Sequence, residues 1–346
     1  MTALAPGPPL DSDLAGTLAG NLRDLLTHAL QRGSEPALVL HDRRSPLARV
    51  LTEGLHLALP EAAFLDVDAL PVEAVLARVL ALPPGSLVAL VQSTRFELKQ
   101  HRFRLFLFQR RLKVMEFPHL GRMVEAEIGT YVDALAHDPD HLQPLGRALK
   151  ACLDRADRIR LVSAAGDLDY GGPFEDAKLN LGDYPAAGPV GGQFPIGEVF
   201  TEPVVLERCH GTVAIHAYGE ADFSLRRLDD PFTLRVEDGR VTAAPGAPTG
   251  FLDVLRSIHA AEGAVWVREL GFGLNRAFSR ERTVTDVGTY ERVNGVHLSL
   301  GAKHSVYPKP GFDRRRTKFH VDVFCALQRV EIGARTVFAD GRYLLP

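Results

Sequence analysis

Leu22, Leu25, Leu26, Ala29 and Leu30 follow the i, i+3, i+4 spacing of an amphipathic helix, and Gly33 stands where a left-handed residue would end it. A short apolar run, Ala37 to Leu40, comes next. The unit then recurs. Leu47, Val50, Leu51 and Leu55 lead to Phe64-Leu65-Asp66-Val67; Val72, Val75, Leu76, Val79 and Leu80 lead to Leu87–Val91; a helical stretch over 96–111 leads to Leu112–Phe117. Continuous apolar runs alternating with helices predict a parallel sheet covered on both faces. Two further helices, 121–136 and 139–152, close this part of the chain.

Beyond about residue 155 the texture changes to short strand-like runs: Ile159–Ser163, Ala177–Leu181, Gly211–Tyr218, Phe232–Glu237, Val265–Leu270, Val296–Leu300, Phe319–Phe324 and Arg335–Ala339. Asp238-Gly239 between two such runs predicts a hairpin, because a type I′ turn needs positive φ at both central residues. One helix, 250–261, interrupts the strands. The expected organisation is a loose Pro/Gly/Ala-rich arm over 1–16, an α/β N-terminal domain with a parallel sheet over 17–155, and a β-rich α+β C-terminal domain over 156–346.

With 346 residues and 46% hydrophobic content the chain can bury a substantial core, which excludes disordered and fibrous classes. Forty basic against 43 acidic residues leave a net charge of −3, so no global attraction to nucleic acid or anionic lipid is expected. Lys99, Arg102, Arg104, Arg110, Arg111 and Lys113 alternate with Phe103, Phe106 and Phe108, and are read as a crossover helix and strand with buried rings and solvated cations rather than as a nucleic-acid surface. Cys152, Cys209 and Cys325 are widely separated and lack CxxC spacing, which suits a reducing compartment. The N-terminus lacks a signal-peptide pattern and no run reaches bilayer-spanning length. A cytoplasmic protein without membrane or nucleic-acid partners is expected.

The candidate chemistry lies in the second half. In a strand, residues i and i+2 share a face, so His320 and Asp322 would point an imidazole and a carboxylate into one site. His297 lies in a strand ending at Gly301. Glu198 follows Gly191-Gly192-Gln193-Phe194-Pro195-Ile196-Gly197, and Glu269 follows the apolar run Val265-Trp266-Val267, where a buried carboxylate needs a compensating charge. Two histidines and three carboxylates match the N/O ligand set of a centre of two divalent metal ions, Zn, Co or Mn, and such a centre supports hydrolysis. Spacing alone does not bring these five residues together. GxSxG, Walker A, HExxH and a strand-to-helix GxGxxG are absent.

The string GGQFPIGEVFTEP, followed in order by RELGFGLN, GVHLSLG and FHVD, resembles the motifs of the thermophilic metallo-aminopeptidase family, the aminopeptidase T and aminopeptidase S type. The resemblance covers 156–346 and is only general before that. It implies that Glu198, Glu269, His297, His320 and Asp322 bind two metal ions, that a bridging hydroxide attacks the carbonyl of an N-terminal residue of a peptide substrate, and that the protein is a homodimer. This sequence departs from the family at His304, where the family has a tyrosine, and at Gln193, where it commonly has asparagine; the first half is also shorter.

His304 is read as a further ligand, as a replacement for the tyrosine's hydrogen bond to the tetrahedral intermediate, or as the start of a surface loop. Tyr307 takes over the tyrosine's part only if that loop bends back. Glu291 is a candidate general base or supporting carboxylate, though as an acidic loop residue it is read first as a solvated charge. Arg315, within Arg314-Arg315-Arg316, is a candidate partner for a substrate carboxylate. Two alternatives stand beside the peptidase. The dihydroxypyridine ring-cleaving dioxygenases resemble the same fold and use a single Fe(II); a peptide-binding descendant in a biosynthetic pathway would bind without cleaving.

Overall fold

The computed structural model describes residues 12–96, 98, 103–184, 188–304, 306–312 and 317–346. The chain forms two compact units, 1–138 with 182–196, and 139–181 with 197–346. The division therefore departs from a single cut near 155. Helix 139–153 packs with the second unit, and 182–196 returns to the first. Ser12 to Gly16, expected in the arm, already belong to the first helix; residues 1–11 lie outside the described residues.

In the first unit, α1 (Ser12–Asp24) is continued by a π-helical turn to Ala29, and β1 (Ala37–His41), α2 (Pro46–Ala58), β2 (Ala63–Asp66), α3 (Val72–Leu80), β3 (Leu87–Val91), α4 (Phe103–Gln109) and β4 (Lys113–Phe117) follow. Residues 120–122 and 125–127 are 3-10 turns, and α5 spans Ile128–Ala134, so the helix expected over 121–136 is shorter. The sheet is entirely parallel, in the order β2-β1-β3-β4-β8, where β8 is Gly191–Gln193. β1 and β3 are buried along their whole length, as strands covered on both faces must be. Alternate residues Leu38, Leu40, Val88, Leu90 and Val114 pack with Val75 and Val79 of α3 and Phe103 and Leu107 of α4. Arg104, by contrast, reaches out to pair with Glu116 at 2.6 Å.

The second unit opens with α6 (Pro139–Leu153), whose Leu142, Leu145, Leu149 and Leu153 form the buried stripe. Its strands are β5 (Arg158–Ser163), β6 (Gly166–Gly171), β7 (Lys178–Asn180), β9 (Glu198–Thr201), β10 (Cys209–Gly219), β11 (Leu225–Glu237), β12 (Arg240–Ala243), β13 (Val267–Gly273), β14 (Gly295–Leu300), β15 (Val321–Cys325), β16 (Leu327–Ile332), β17 (Arg335–Ala339) and β18 (Arg342–Tyr343). They make one large antiparallel sheet, β18-β17-β16-β5-β6-β10-β15-β14-β13-β9-β7, with β11 and β12 branching from β10. Asp238 and Gly239 both take positive φ, 47° and 72°, and turn β11 into β12 as their sequence requires. Helix α7 (Thr249–Glu262) ends at left-handed Gly263, and the four-residue α8 (Val287–Tyr290) starts from Asp286, which caps Thr289 N at 2.9 Å. The three cysteines are free, and no described helix is long and apolar enough to cross a membrane.

Candidate metal centre

Four adjacent strands, β15-β14-β13-β9, set the site, and the pleat decides what faces it. Directly opposed residues of antiparallel neighbours project to the same side. His297 opposes Gly271, Gly273 opposes Glu198, and Ser299, two residues along from His297, opposes Asp322. Glu198, His297 and Asp322 therefore share one face. The β13/β14 register shifts between Val267 and Leu270, and there the backbone N–H of Glu269 donates to Ser299 Oγ at 3.0 Å. Glu269, two residues before Gly271, falls on the same face, with one carboxylate oxygen 3.5 Å from His297 Nε2.

The glycines of Glu269-Leu270-Gly271-Phe272-Gly273 make the room. A Cβ at Gly271 would lie 2.1 Å from the His297 ring, and one at Gly273 would lie 2.0 Å from the carbonyl of Val293. Gly271 thus leaves the space the imidazole occupies, and Gly273 lets the Glu291-Arg292-Val293 segment lie against the strand.

Two groups of donors result. Glu198, Glu269 and His297 each offer a ligand atom within 4.8 Å of the others, and so do Glu291, His320 and Asp322. All five residues expected to bind metal are present, divided between the two groups. Glu291 joins them as a sixth, which corrects its reading as a solvated charge: its carboxylate is mostly buried beside Asp322 and Arg292. Arg292, which the sequence reading did not single out, is buried with its guanidinium 3.3 Å from Glu198 and paired to Glu291.

His304 is drawn into the site rather than opening a surface loop. Its Nδ1 accepts the N–H of Tyr307 at 3.2 Å, so Nε2 carries the proton and donates it to Glu269 Oε2 at 2.5 Å. In this arrangement His304 orients a ligand carboxylate instead of offering a free lone pair. The Tyr307 hydroxyl faces the carbonyls of Asp176 and Phe200, 2.8 and 3.2 Å away, so the loop does not bend the phenol into the tyrosine's place. Arg315 lies outside the described residues.

Buried charges hold the His304 loop. Arg268, 1% exposed, makes a two-pronged ion pair with Glu202 at 2.9 Å and donates to the carbonyls of Ala302 and Tyr307. Glu262, at the end of α7, accepts from the backbone N–H groups of Ala302, Lys318 and Phe319, joining the loop after β14 to the segment that delivers His320.

Burial pushes the Glu198 carboxyl above its ordinary range, although Arg292 and His297 oppose it. Burial acts likewise on Glu291, reinforced by Asp322. For Glu269, burial is outweighed by the imidazoles of His297 and His304, which hold its carboxyl low; for Asp322, burial is outweighed by His320. His320 loses charge stability through burial but gains more from Asp322, and is pushed up to about 10. Its Nδ1 faces the Lys303 carbonyl at 3.1 Å, which can only accept, so Nε2 is the atom turned toward Asp322.

These residues fit divalent cations. Both His297 nitrogens are buried without a hydrogen-bond partner, and His297 Nε2 stands 3.5 Å from one oxygen each of Glu198 and Glu269. Four buried carboxylates facing one another are costly unless cations compensate them. Imidazole and carboxylate donors are those that Zn, Co and Mn accept.

The chain is similar in structure to wild-type AmpT from Thermus thermophilus, with a TM-score of 0.58 and 13% identity over 95% of this chain and 99% of that one. At that identity the likeness is one of fold, and it extends beyond the motif-bearing half. No family model matches the chain, and no curated protein does.

Proposed function

We propose that this protein is a two-metal aminopeptidase-like hydrolase acting on peptides with a free N-terminus, and that it works as a homodimer. The observation that carries the reading is the pair of adjacent three-residue groups, Glu198/Glu269/His297 and Glu291/His320/Asp322, with orphaned buried donor atoms among them. The fold likeness to AmpT and the four ordered motifs support it. Each group holds one imidazole and two carboxylates, whereas a single-iron oxygenase site uses two imidazoles and one carboxylate. The donor sets therefore favour hydrolysis over ring cleavage.

Two divalent ions, when bound, would polarise the scissile carbonyl and acidify the attacking water. The chain's own residues do the rest. His304 fixes the Glu269 carboxylate through its Nε2–H, and Arg292 steers the carboxylates of Glu198 and Glu291. Its positive charge would add to those of the ions in offsetting the four carboxylates.

Metal content per chain, measured by inductively coupled plasma mass spectrometry on protein purified without chelator, tests the reading against a His320→Ala variant and an aminoacyl-anilide screen. About two Zn, Co or Mn per chain, reduced in the variant, with anilide hydrolysis, is the expected result. About one Fe with oxygen consumption overturns it in favour of ring cleavage. Metal-free protein that still binds peptides without cutting them overturns it in favour of a binding protein.

A further inference from the structure

The first unit carries a cleft of its own, remote in sequence from the metal ligands and lined only by residues of that unit. Its volume is about 640 Å³, within the range of small-molecule sites. It opens where the chain leaves the carboxyl ends of the parallel strands: Arg44 follows β1, Asp68 follows β2, Arg95 follows β3, and His119 and Arg122 follow β4. In the order β2-β1-β3-β4 the chain runs from β1 to β2 on one side and then crosses to β3 on the other. The boundary between β1 and β3 is thus the switch point at which open α/β sheets bind ligands.

The walls are built to hold their shape. Buried Asp42, just after β1, accepts from the backbone N–H groups of Arg44 and Ser93, and Ser93 Oγ binds both Asp42 and Ser45. The two loops flanking the switch point are thereby locked together. Gly121 donates to the Ser93 carbonyl, and a Cβ there would approach that oxygen to 2.8 Å, so only glycine lets the third loop close in. His119 is held at φ 58°, a left-handed conformation that a non-glycine residue keeps only where its surroundings impose it.

The chemistry of the lining is mixed. Arg95 and Arg122 bring guanidinium groups and His119 an imidazole, and the Arg44–Asp68 pair adds a near-neutral element. Phe96, Leu98 and Val72 supply an apolar wall. From this we infer that the cleft binds a small organic phosphate with an apolar or aromatic body, of about nucleoside monophosphate size. Guanidinium groups take the phosphate through paired hydrogen bonds, and the apolar wall takes the body.

Isothermal titration of the full chain with adenosine monophosphate, adenosine and inorganic phosphate tests the inference. Saturable monophosphate binding is expected, weakened at least tenfold in Arg95→Ala, an exposed position whose loss leaves the fold intact. Val72→Trp, which fills the apolar wall, should abolish monophosphate binding and spare inorganic phosphate. The His320→Ala variant should bind like the parent. Absence of binding by every probe, an unchanged affinity in Arg95→Ala, or loss of binding in His320→Ala, which would place the anion at the metal site, overturns the inference.

Discussion

Gly271 shows how much of the candidate metal centre rests on single positions. Its missing side chain is the space in which the His297 ring sits, so Gly271→Ala is expected to displace the imidazole while the strand pairing persists. Metal titration should show at least a tenfold weaker site beside an unchanged far-ultraviolet circular dichroism spectrum. Arg268 acts through burial instead. Arg268→Met would leave Glu202 buried with Lys309, at 3.1 Å, as its cationic partner among the described residues, and breaking a buried pair in this way costs about 3–5 kcal/mol. Urea denaturation of the metal-free protein should register that loss. Residues such as these were not legible beforehand. A glycine in a strand signals a close approach without naming the group that approaches, and Arg268 next to Glu269 gives no sign of which of the two turns toward the ligands.

Elements were more readable than their boundaries. The repeated helix-and-run pattern of the first half locates β1 to β4, most firmly β1 and β3, which are buried along their whole length as strands covered on both faces are; β2 is only partly buried and β4 carries Lys113 and Glu116. The predicted helix over 121–136 fails at its start. Gly121 closes against Ser93 and the chain makes 3-10 turns before Ile128, an arrangement set by the neighbouring loop rather than by helical spacing. The β11/β12 hairpin was specified locally by Asp238-Gly239. Gly239→Ala is expected to destabilise the protein by about 2 kcal/mol, since φ is 72° and an added Cβ would meet the Leu206 carbonyl at 2.2 Å. A lower urea midpoint with an unaltered m-value would be the signature. The strand β8 was not foreseen: three residues rich in glycine carry no alternation, and only their pairing with β4 makes them a strand.

For the whole molecule, pH and metal are the informative variables. Burial holds the His216 imidazole down at about 4, and burial also lowers His41 and His137. The unfolded chain takes up these protons first, near the ordinary value of 6.5. The share of stability that these three histidines carry is therefore complete above pH 6.5, is lost as pH drops from there toward 4, and is constant below. His216 alone contributes about 3 kcal/mol to that loss. In urea titrations of metal-free protein at pH 7 and pH 4.5, a His216→Gln variant should lose less stability than the parent as the pH is lowered. At pH 7, chelation is expected to lower the melting temperature, because ligands that bind only the folded chain stabilise it by mass action, and re-addition of Zn, Co or Mn should restore it.

The sequence by itself determined the periodicities: which residues share a strand face, which runs are apolar enough to be covered twice, where a turn needs positive φ, and which imidazoles and carboxylates stand in His320-Val321-Asp322 and near Gly301. These follow from backbone geometry within a few residues. Tertiary structure decided the rest. The order β15-β14-β13-β9 and the register of its strands bring Glu198, Glu269, His297 and Asp322 to one face, and no local pattern fixes a register between strands so far apart in the chain. The same holds for Glu291 and His304. Their roles depend on burial and on a neighbour's charge, which arise only when the segment after α8 packs on Gly273 and the His304 loop is tied down by Arg268 and Glu262.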